Sequence, residues 1–389
     1  MSGPAPAPDD RGPLTGLRVL DVATLFAAPQ VATMLADLGA DVVKVESPEG
    51  DPLRNMGHRR ARRSTAWELV GRNKRSIALD LDTDGADRAT FRSLVAASDV
   101  LVENLTPALR ERRECTYDAL AAANPRIVVV SVSCYGGSGP YASRPGAGTL
   151  AEAYAGLTHM TGEPDGAPML ASVAIGDTLT AFAGVMGALA ACWARDARGG
   201  EGRLVDVSMF EPVLAIMAGT IAGWDPSDAP PSRSGSRVAG GAPRNVYRTR
   251  DDCYVAVSGT TDAQVARVLT VIERDNPSAR ARFGSAADRL AAADELDDLV
   301  ADWVSRTDRD DVVAALLAAR VPVTPVNDVR DLLEDPHLVA RASLTTIGGS
   351  DPLTVPAPLP WISGPRRTPS PAPALDGDRE AIVAEWLGP

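Results

Sequence analysis

The chain has 389 residues, 45% of them hydrophobic and 23% charged, with a net charge of −12. That length supports two or three domains around a large core, and the mix is globular rather than disordered or fibrous. The negative balance argues against nucleic-acid and membrane-surface partners.

In chain order, LRVLDVA (17–23) reads as an aliphatic strand, APQVATMLADLG (28–39) as a helix stopped by glycine, and ADVVKVE (40–46) as a second strand. SIALDLD (76–82), DVLVENL (99–105) and RIVVVSVSCYG (126–136) continue the strands, with a helix over 86–98. Such alternation predicts an α/β fold with a doubly wound parallel sheet, whose ligands bind at loops beyond the carboxyl ends of the strands. The first strand-to-helix turn, TLFAAPQ, is not GxGxxG, and GxxxxGK[ST] is absent from the sequence. Both facts disfavour dinucleotide and P-loop chemistry. GGSGP (136–140) enters a Pro/Arg loop, so it reads as a turn or substrate flap.

A long helix is predicted over 177–195, a strand over 204–210, and a second apolar helix to 224. Residues 225–245, rich in Pro, Ser and Gly, mark a linker. NVYRTRDDCYVAVSG reads as a hairpin turning at Asp-Asp, and helices near 261–274, 286–305 and 308–319 complete a smaller α+β domain over 246–325. Residues 326–389 return to the large domain, whose first part is 1–224. No stretch reads as both long and apolar enough to span a bilayer. The N-terminus lacks the features of a signal peptide, and a cytoplasmic location is expected.

Four cysteines and three histidines are scattered without metal or redox spacing, so no metal site is expected. Between Arg54 and Arg75 lie eight Lys/Arg and one acid, Glu68. This run is a solvated face, a dimer contact, or a cradle for a nucleotide phosphate. Asp177 is the only charged side chain between Val173 and Trp193. Its place at a helix start suits an N-cap. The same place suits a carboxylate held ionised as a nucleophile for an acyl carbonyl, and the two roles are compatible.

Several segments, in order, carry a family resemblance: LTGLRVLDVATLFAAP, LADLGADVVKVESPEGDPLR, GRNKRSIALDLDT, DVLVENLTP, NPRIVVVSVSCYGGSGPY, RPGAGTLAEAYAGLTHMTGEPDG and GRLVDVSMFEPVLA. With weaker matches beyond them, the chain resembles the family III CoA-transferases, the group of formyl-CoA transferase and carnitine CoA-transferase, to which α-methylacyl-CoA racemase is related. The resemblance implies an interlocked homodimer of a doubly wound, Rossmann-like large domain and a smaller α+β domain. It implies transfer of CoA from an acyl-CoA to a carboxylic acid, with coenzyme A as a substrate moiety and no tightly bound cofactor. Asp177 would be the nucleophile, passing through an aspartyl anhydride and an aspartyl-CoA thioester.

Other positions carried over from the family concern CoA. Asn104 and Arg112 fall at nucleotide contacts, while Ser47 and the stretch Leu79 to Asp82 fall at adenine and phosphate contacts. Asp82 replaces a lysine of formyl-CoA transferase, where an acid would repel phosphate. Phe26, beside Ala27, replaces a glutamine near the anhydride. LTPA (Leu105, Thr106 and the next two residues) replaces FRPG, with Lys74, Arg75 and the 54–63 cluster as compensating cations. Ala147 stands where the racemase supplies a histidine base, which disfavours the alternative of an acyl-CoA racemase or epimerase. A CoA-binding homologue without transfer activity is the other alternative. Ala147 and Gly148 remove bulk, which points to an acyl group larger than formate. His159 reads as a packed or hydrogen-bonded loop residue and Gly259 as a hairpin turn or active-site glycine. Glu152 either orients the acceptor and tunes the nucleophile or lies on a solvated helix face, the plainer reading.

Overall fold

Six runs rich in Val, Ile and Leu form one parallel sheet in the computed structural model, which describes residues 12–60, 63–238, 240–272, 277–348, 351–364 and 366–388. The strands are β1 (Arg18–Asp21), β2 (Asp41–Glu46), β3 (Lys74–Ala78), β4 (Val100–Glu103), β5 (Val128–Ser133) and β6 (Leu204–Ser208). They lie in the order β3-β2-β1-β4-β5-β6 with every neighbouring pair parallel. Strands covered on both faces favour apolar runs, as in β1, β4 and β5, whereas β2, β3 and β6 also carry Lys44, Lys74, Arg75 and Asp206. The order reverses between β1 and β4, and ligands of such sheets collect at the carboxyl edge by that reversal.

The helices are α1 (Ala27–Asp37), α2 (Thr65–Gly71), α3 (Ala86–Ala96), α4 (Pro107–Arg112), α5 (Tyr117–Ala123), α6 (Gly148–Tyr154), α7 (Leu157–Met160) and α8 (Ile175–Arg198). On one face of the sheet α1 and α8 bury Val31, Leu35, Ala181 and Ala188 against Val19, Val100, Val128 and Val130. On the other, Phe91 and Leu94 of α3 pack with Leu20, Val43, Ile77 and Leu101, joined by Ile382 and Trp386 from the far end of the chain. That end also closes the sheet edge: the amides of Ser76 and Ala78 donate to the carboxylates of Asp378 and Asp376.

The chain divides into two compact units, residues 1–158, 170–225 and 336–389 in one, and 159–169 with 226–335 in the other. The smaller unit carries an antiparallel sheet, β7 (Arg244–Arg248), β8 (Tyr254–Ser258) and β9 (Val323–Pro325), in the order β9-β8-β7. Its β7–β8 hairpin turns through Asp252 in the left-handed region, at φ 59°, where aspartate is tolerated. Helices over 262–272, 293–304 and 309–318 bury Val268, Val300, Val304, Val312 and Leu316 on it.

Several expectations change. The smaller unit runs to Asp335 and takes in 159–169. The stretch read as a linker is docked: Arg233 donates to the carbonyls of Gly166 and His159, and the Gly235 amide donates to Gly162. The apolar helix after β6 breaks at Met217 into Phe210–Ile216 and Ala218–Gly223. The helix predicted to 274 is described only to Ile272. Finally, α8 has 24 residues and is long and apolar enough to cross a membrane by length and composition, contrary to the sequence reading. In this fold one of its faces lies in the large-unit core.

Candidate active site

The helix carrying Asp177 starts earlier than expected, at Ile175, with Ala174 in the N-cap position and no side-chain cap bond. Asp177 therefore sits inside the first turn, and the cap predicted for it is not made. An acid from another helix takes one orphan amide of that turn. The Gly176 N–H donates to Oε1 of Glu152 on α6 at 2.9 Å. Glu152 is only 1% exposed, so the solvated-face reading is replaced by a buried contact to the turn that carries Asp177.

Asp177 itself is half-buried. Burial raises its carboxyl above the usual aspartate range and the neighbouring Glu152 carboxylate raises it further, with only its own amide acting the other way. The first-turn dipole favours an anion, but here desolvation and a like charge outweigh that preference.

Gly148, the first residue of α6, is buried against this carboxylate: a Cβ there would overlap Oδ2 of Asp177. Two residues earlier, a Cβ on Gly146 would overlap Sγ of Cys134 at the end of β5. The glycines of RPGAG thus admit the Asp177 carboxylate and the Cys134 thiol. At Gly148 the expectation of room for a larger acyl group is corrected, because Asp177 fills that room. Ala147 is exposed, and its carbonyl accepts a weak bond from Cys134 Sγ at 3.8 Å. Beside this loop Tyr135, Tyr141, Tyr154 and Phe210 meet edge to face at 5.2 to 6.1 Å, and the Arg144 guanidinium lies 3.4 Å over the Tyr141 ring. His159 is exposed on α7 rather than packed.

A second feature occupies the carboxyl ends of β1 to β4. It is a cavity of about 530 Å³ lined by Thr24, Lys44, Ser47, Leu79, Asp82, Leu105 and Arg113 among others. The fold thereby brings together four residues singled out in the sequence: Ser47, Leu79, Asp82 and Leu105. Asp177 is not among its lining residues.

Asp82 does not present a bare charge to this cavity. Arg113 holds it at 2.6 Å and Arg112 at 2.9 Å, and the bond from Arg113, with Arg112 adding, keeps its carboxyl down at about 2. The triad carries a net positive charge, which corrects the repulsion expected of Asp82. Sequence reasoning missed Arg113; its only signal was the adjacent pair in RERRE.

The remaining positions are placed as follows. Asn104 spends its side chain on the loop after β1, accepting from the Thr24 amide at 3.0 Å and donating to the Thr24 carbonyl at 2.9 Å. Thr106 caps α4 through Leu109. Phe26 packs on Leu53, Trp67 and Val70, and Ala27 is buried at the start of α1. Gly259 donates its amide to Pro243 at 2.7 Å within the smaller unit.

The basic run is largely neutralised from within, so its role as a source of compensating cations is corrected. Lys74 is buried against Asp21 at 2.7 Å, and Arg75 pairs with Asp41 and Glu385. Arg54 pairs with Glu46 and stacks on Trp67, Arg63 reaches Glu68, and Arg72 reaches Asp37. Arg62 lies outside the described residues. No cluster of three or more His, Cys, Asp or Glu is placed to hold a metal among the described residues.

A half-buried carboxylate against a glycine, near the carboxyl edge of a doubly wound sheet that also holds a cavity of small-molecule size, defines an enzyme site. The family model described as CoA-transferase family III matches residues 14–379, and the chain belongs to this family. The chain is 35% identical to the succinyl-CoA–L-malate CoA-transferase beta subunit of Chloroflexus aurantiacus, over 97% of this chain and 94% of that protein. It is 33% identical to the succinyl-CoA:mesaconate CoA-transferase of Haloarcula hispanica, with 96% of each covered. The crystal structure of a CAIB/BAIF family protein from Brucella suis, 31% identical, superposes with a TM-score of 0.84 over 96% of this chain and 99% of that one. The chain is an acyl-CoA:carboxylate CoA-transferase, with CoA as the transferred moiety.

Proposed function

We propose that Asp177 carries the CoA through covalent intermediates. Its carboxylate oxygen attacks the thioester carbonyl, the C–S bond breaks, and CoA leaves as thiolate from a mixed anhydride. The thiolate then attacks the Asp177 carbonyl, breaking its bond to the bridging oxygen. This frees the first acid as a carboxylate and leaves an aspartyl-CoA thioester. A second carboxylate reverses the sequence and departs as the new acyl-CoA, with no net proton moved. The observation carrying this reading is the Asp177 carboxyl itself, seated against Gly148 and made more basic by burial and Glu152. No histidine stands at Ala147 to serve a racemase, and transfer is the reading that uses the carboxylate.

The cavity over β1 to β4 is assigned to the nucleotide end of CoA, with Arg113 and Arg112 beside its phosphates. Its volume is within the ordinary range for such sites.

A homodimer and a cytoplasmic location belong to the same reading. Phe182, Met186 and Trp193 of α8 are 43, 69 and 71% exposed and recur at helical spacing along one stripe. A second copy of the chain is the occupant assigned to it, as the family resemblance implies. The two relatives above are named for succinyl-CoA with malate or mesaconate, and we extend that class, short dicarboxylic acids, to this chain.

Incubation with acetyl-CoA, butyryl-CoA and succinyl-CoA, followed by hydroxylamine and peptide mass spectrometry, tests the chemistry. A hydroxamate on Asp177, formed best from the succinyl ester, is expected. Label on none of the esters, or on another residue, refutes the nucleophile assignment.

A further inference from the structure

Glu152 is not needed to make or break any bond in the sequence of steps above, yet its carboxylate is almost wholly buried beside the reacting one. Burying an acid next to an acid is costly unless something offsets it. The offset visible here is partial: one hydrogen bond from the Gly176 amide at 2.9 Å. Gly176 is also held from the other side, since a Cβ there would come 2.7 Å from the Gly148 carbonyl and 3.3 Å from Glu152 Cγ. Glu152, Gly176, Gly148 and Asp177 therefore form one packed unit joining α6 to the first turn of α8. The groups acting on Asp177 from outside its own helix are Glu152, and the Cys134 thiol whose own ionisation Asp177 opposes.

We infer that Glu152 is a positioning residue that primes Asp177 for acylation, fixing the turn through Gly176 and repelling the free carboxylate but not the acylated one. This rests on the covalent reading of Asp177. In the free enzyme Glu152 bonds the residue next to Asp177 and acts on its carboxylate as a like charge. When Asp177 becomes an anhydride its charge passes to the CoA thiolate, and when it becomes a CoA thioester the departing acid has carried that charge to solvent; in both the repulsion at residue 177 is relieved. The covalent enzyme is thereby favoured over the resting one. The same repulsion makes Asp177 the poorer leaving group in the anhydride. Thiolate attack then proceeds at the Asp177 carbonyl, expelling the substrate acid, rather than returning to the starting thioester.

The test compares wild type with Glu152→Gln, which keeps an oxygen to accept from Gly176 and loses the charge. Each is equilibrated with succinyl-CoA and succinate at set ratios, quenched in acid, and the CoA-bearing fraction of the chain is read by intact mass. If another ester from the panel labels Asp177 better, that ester and its acid replace the pair. The glutamine variant is expected to carry severalfold less CoA adduct at a given ratio, because the like charge that raises the Asp177 pKa is removed. The acidic limb of its labelling rate should move to lower pH, while its Tm stays near wild type. Glu152→Ala should add a fall in Tm through the lost amide bond. Wild-type adduct with an unchanged Glu152→Gln equilibrium and pH limb would overturn this inference and leave the nucleophile standing. Absence of adduct on wild type with every ester would remove both.

Discussion

Gly148 and the carboxylate of Asp177 occupy adjoining space so tightly that a single Cβ at residue 148 would overlap Oδ2. That oxygen is the tip of a side chain that can turn aside, so Gly148→Ala should fold, helped by the better helix propensity of alanine. The displaced group is the proposed nucleophile, and misplacement by about 1 Å costs on the order of 100-fold in rate. We expect kcat to fall by that order with Tm close to wild type, measured by steady-state transfer and thermal melting. A variant of full activity would place the reacting carboxylate elsewhere.

Asp177→Asn separates chemistry from stability. Because Asp177 makes no cap bond, the amide should abolish transfer without a capping penalty. The folded-state pKa of Asp177 is raised above the ordinary 3.8, so between those two values the folded chain holds more protons than the unfolded one. Stability therefore falls as pH rises through that window, and the ionised group remains a burden above it. At neutral pH the asparagine variant should melt at or above wild type, and near pH 4 the difference should shrink. In wild type the reactive form is the anion, so the acidic limb of kcat/KM should lie above that of an ordinary aspartate.

How much of this was legible in the sequence follows from what each residue answers to. The sheet strands answer to local apolar runs, and β1, β2, β4 and β5 fall within the predicted segments. Asp177 was visible as an isolated acid in an apolar helix, but its cap was not, since the bond is made by Glu152, 24 residues earlier. The basic run misled for the same reason. Its partners Asp21, Asp41 and Glu46 come from strands, Asp37 from the end of α1, and Glu385 from the chain's end. The glycine at 148 signalled missing bulk, and only the fold shows that the Asp177 carboxylate fills that space.

Asp82→Ala should tighten CoA binding rather than weaken it. In the folded chain the acid occupies Arg112 and Arg113 at the cavity's edge, and its removal leaves both guanidiniums for phosphate. The expected outcome is a severalfold lower KM for acyl-CoA at low salt, shrinking as ionic strength screens the exposed charges. The matched control, Arg113→Ala, should raise the KM. If both variants left the KM unchanged, the nucleotide would lie outside this cavity.

The two lysines under the cavity are expected to differ although they share Asp21. Lys44 lies 3.6 Å from Asp21 and 3.2 Å from Asp51, and also donates to the Ala23 carbonyl. Burial opposes its charge, but Asp21, Asp51 and Glu46 outweigh burial and raise its pKa. Lys74 donates to Asp21 at 2.7 Å and to the Pro29 carbonyl at 2.8 Å. There burial wins: with Lys44 adding repulsion and Asp21 only partly offsetting, its pKa drops to about 8. Lys44→Met strands Asp51 and leaves Asp21 to Lys74 alone, and breaking a buried pair in this way costs about 3–5 kcal/mol. Lys74→Met leaves Asp21 with Lys44 and removes a charge that the interior disfavours, so its cost in urea unfolding at pH 7 should be clearly smaller. The linkage has a definite sign. Between about 8 and the ordinary 10.5 the unfolded chain holds the Lys74 proton and the folded chain does not, so this group adds stability as pH rises through that interval. The gap between wild type and Lys74→Met should therefore widen in favour of wild type from pH 8 to pH 10, and a gap that stays constant would mean that Lys74 keeps its proton in the folded chain.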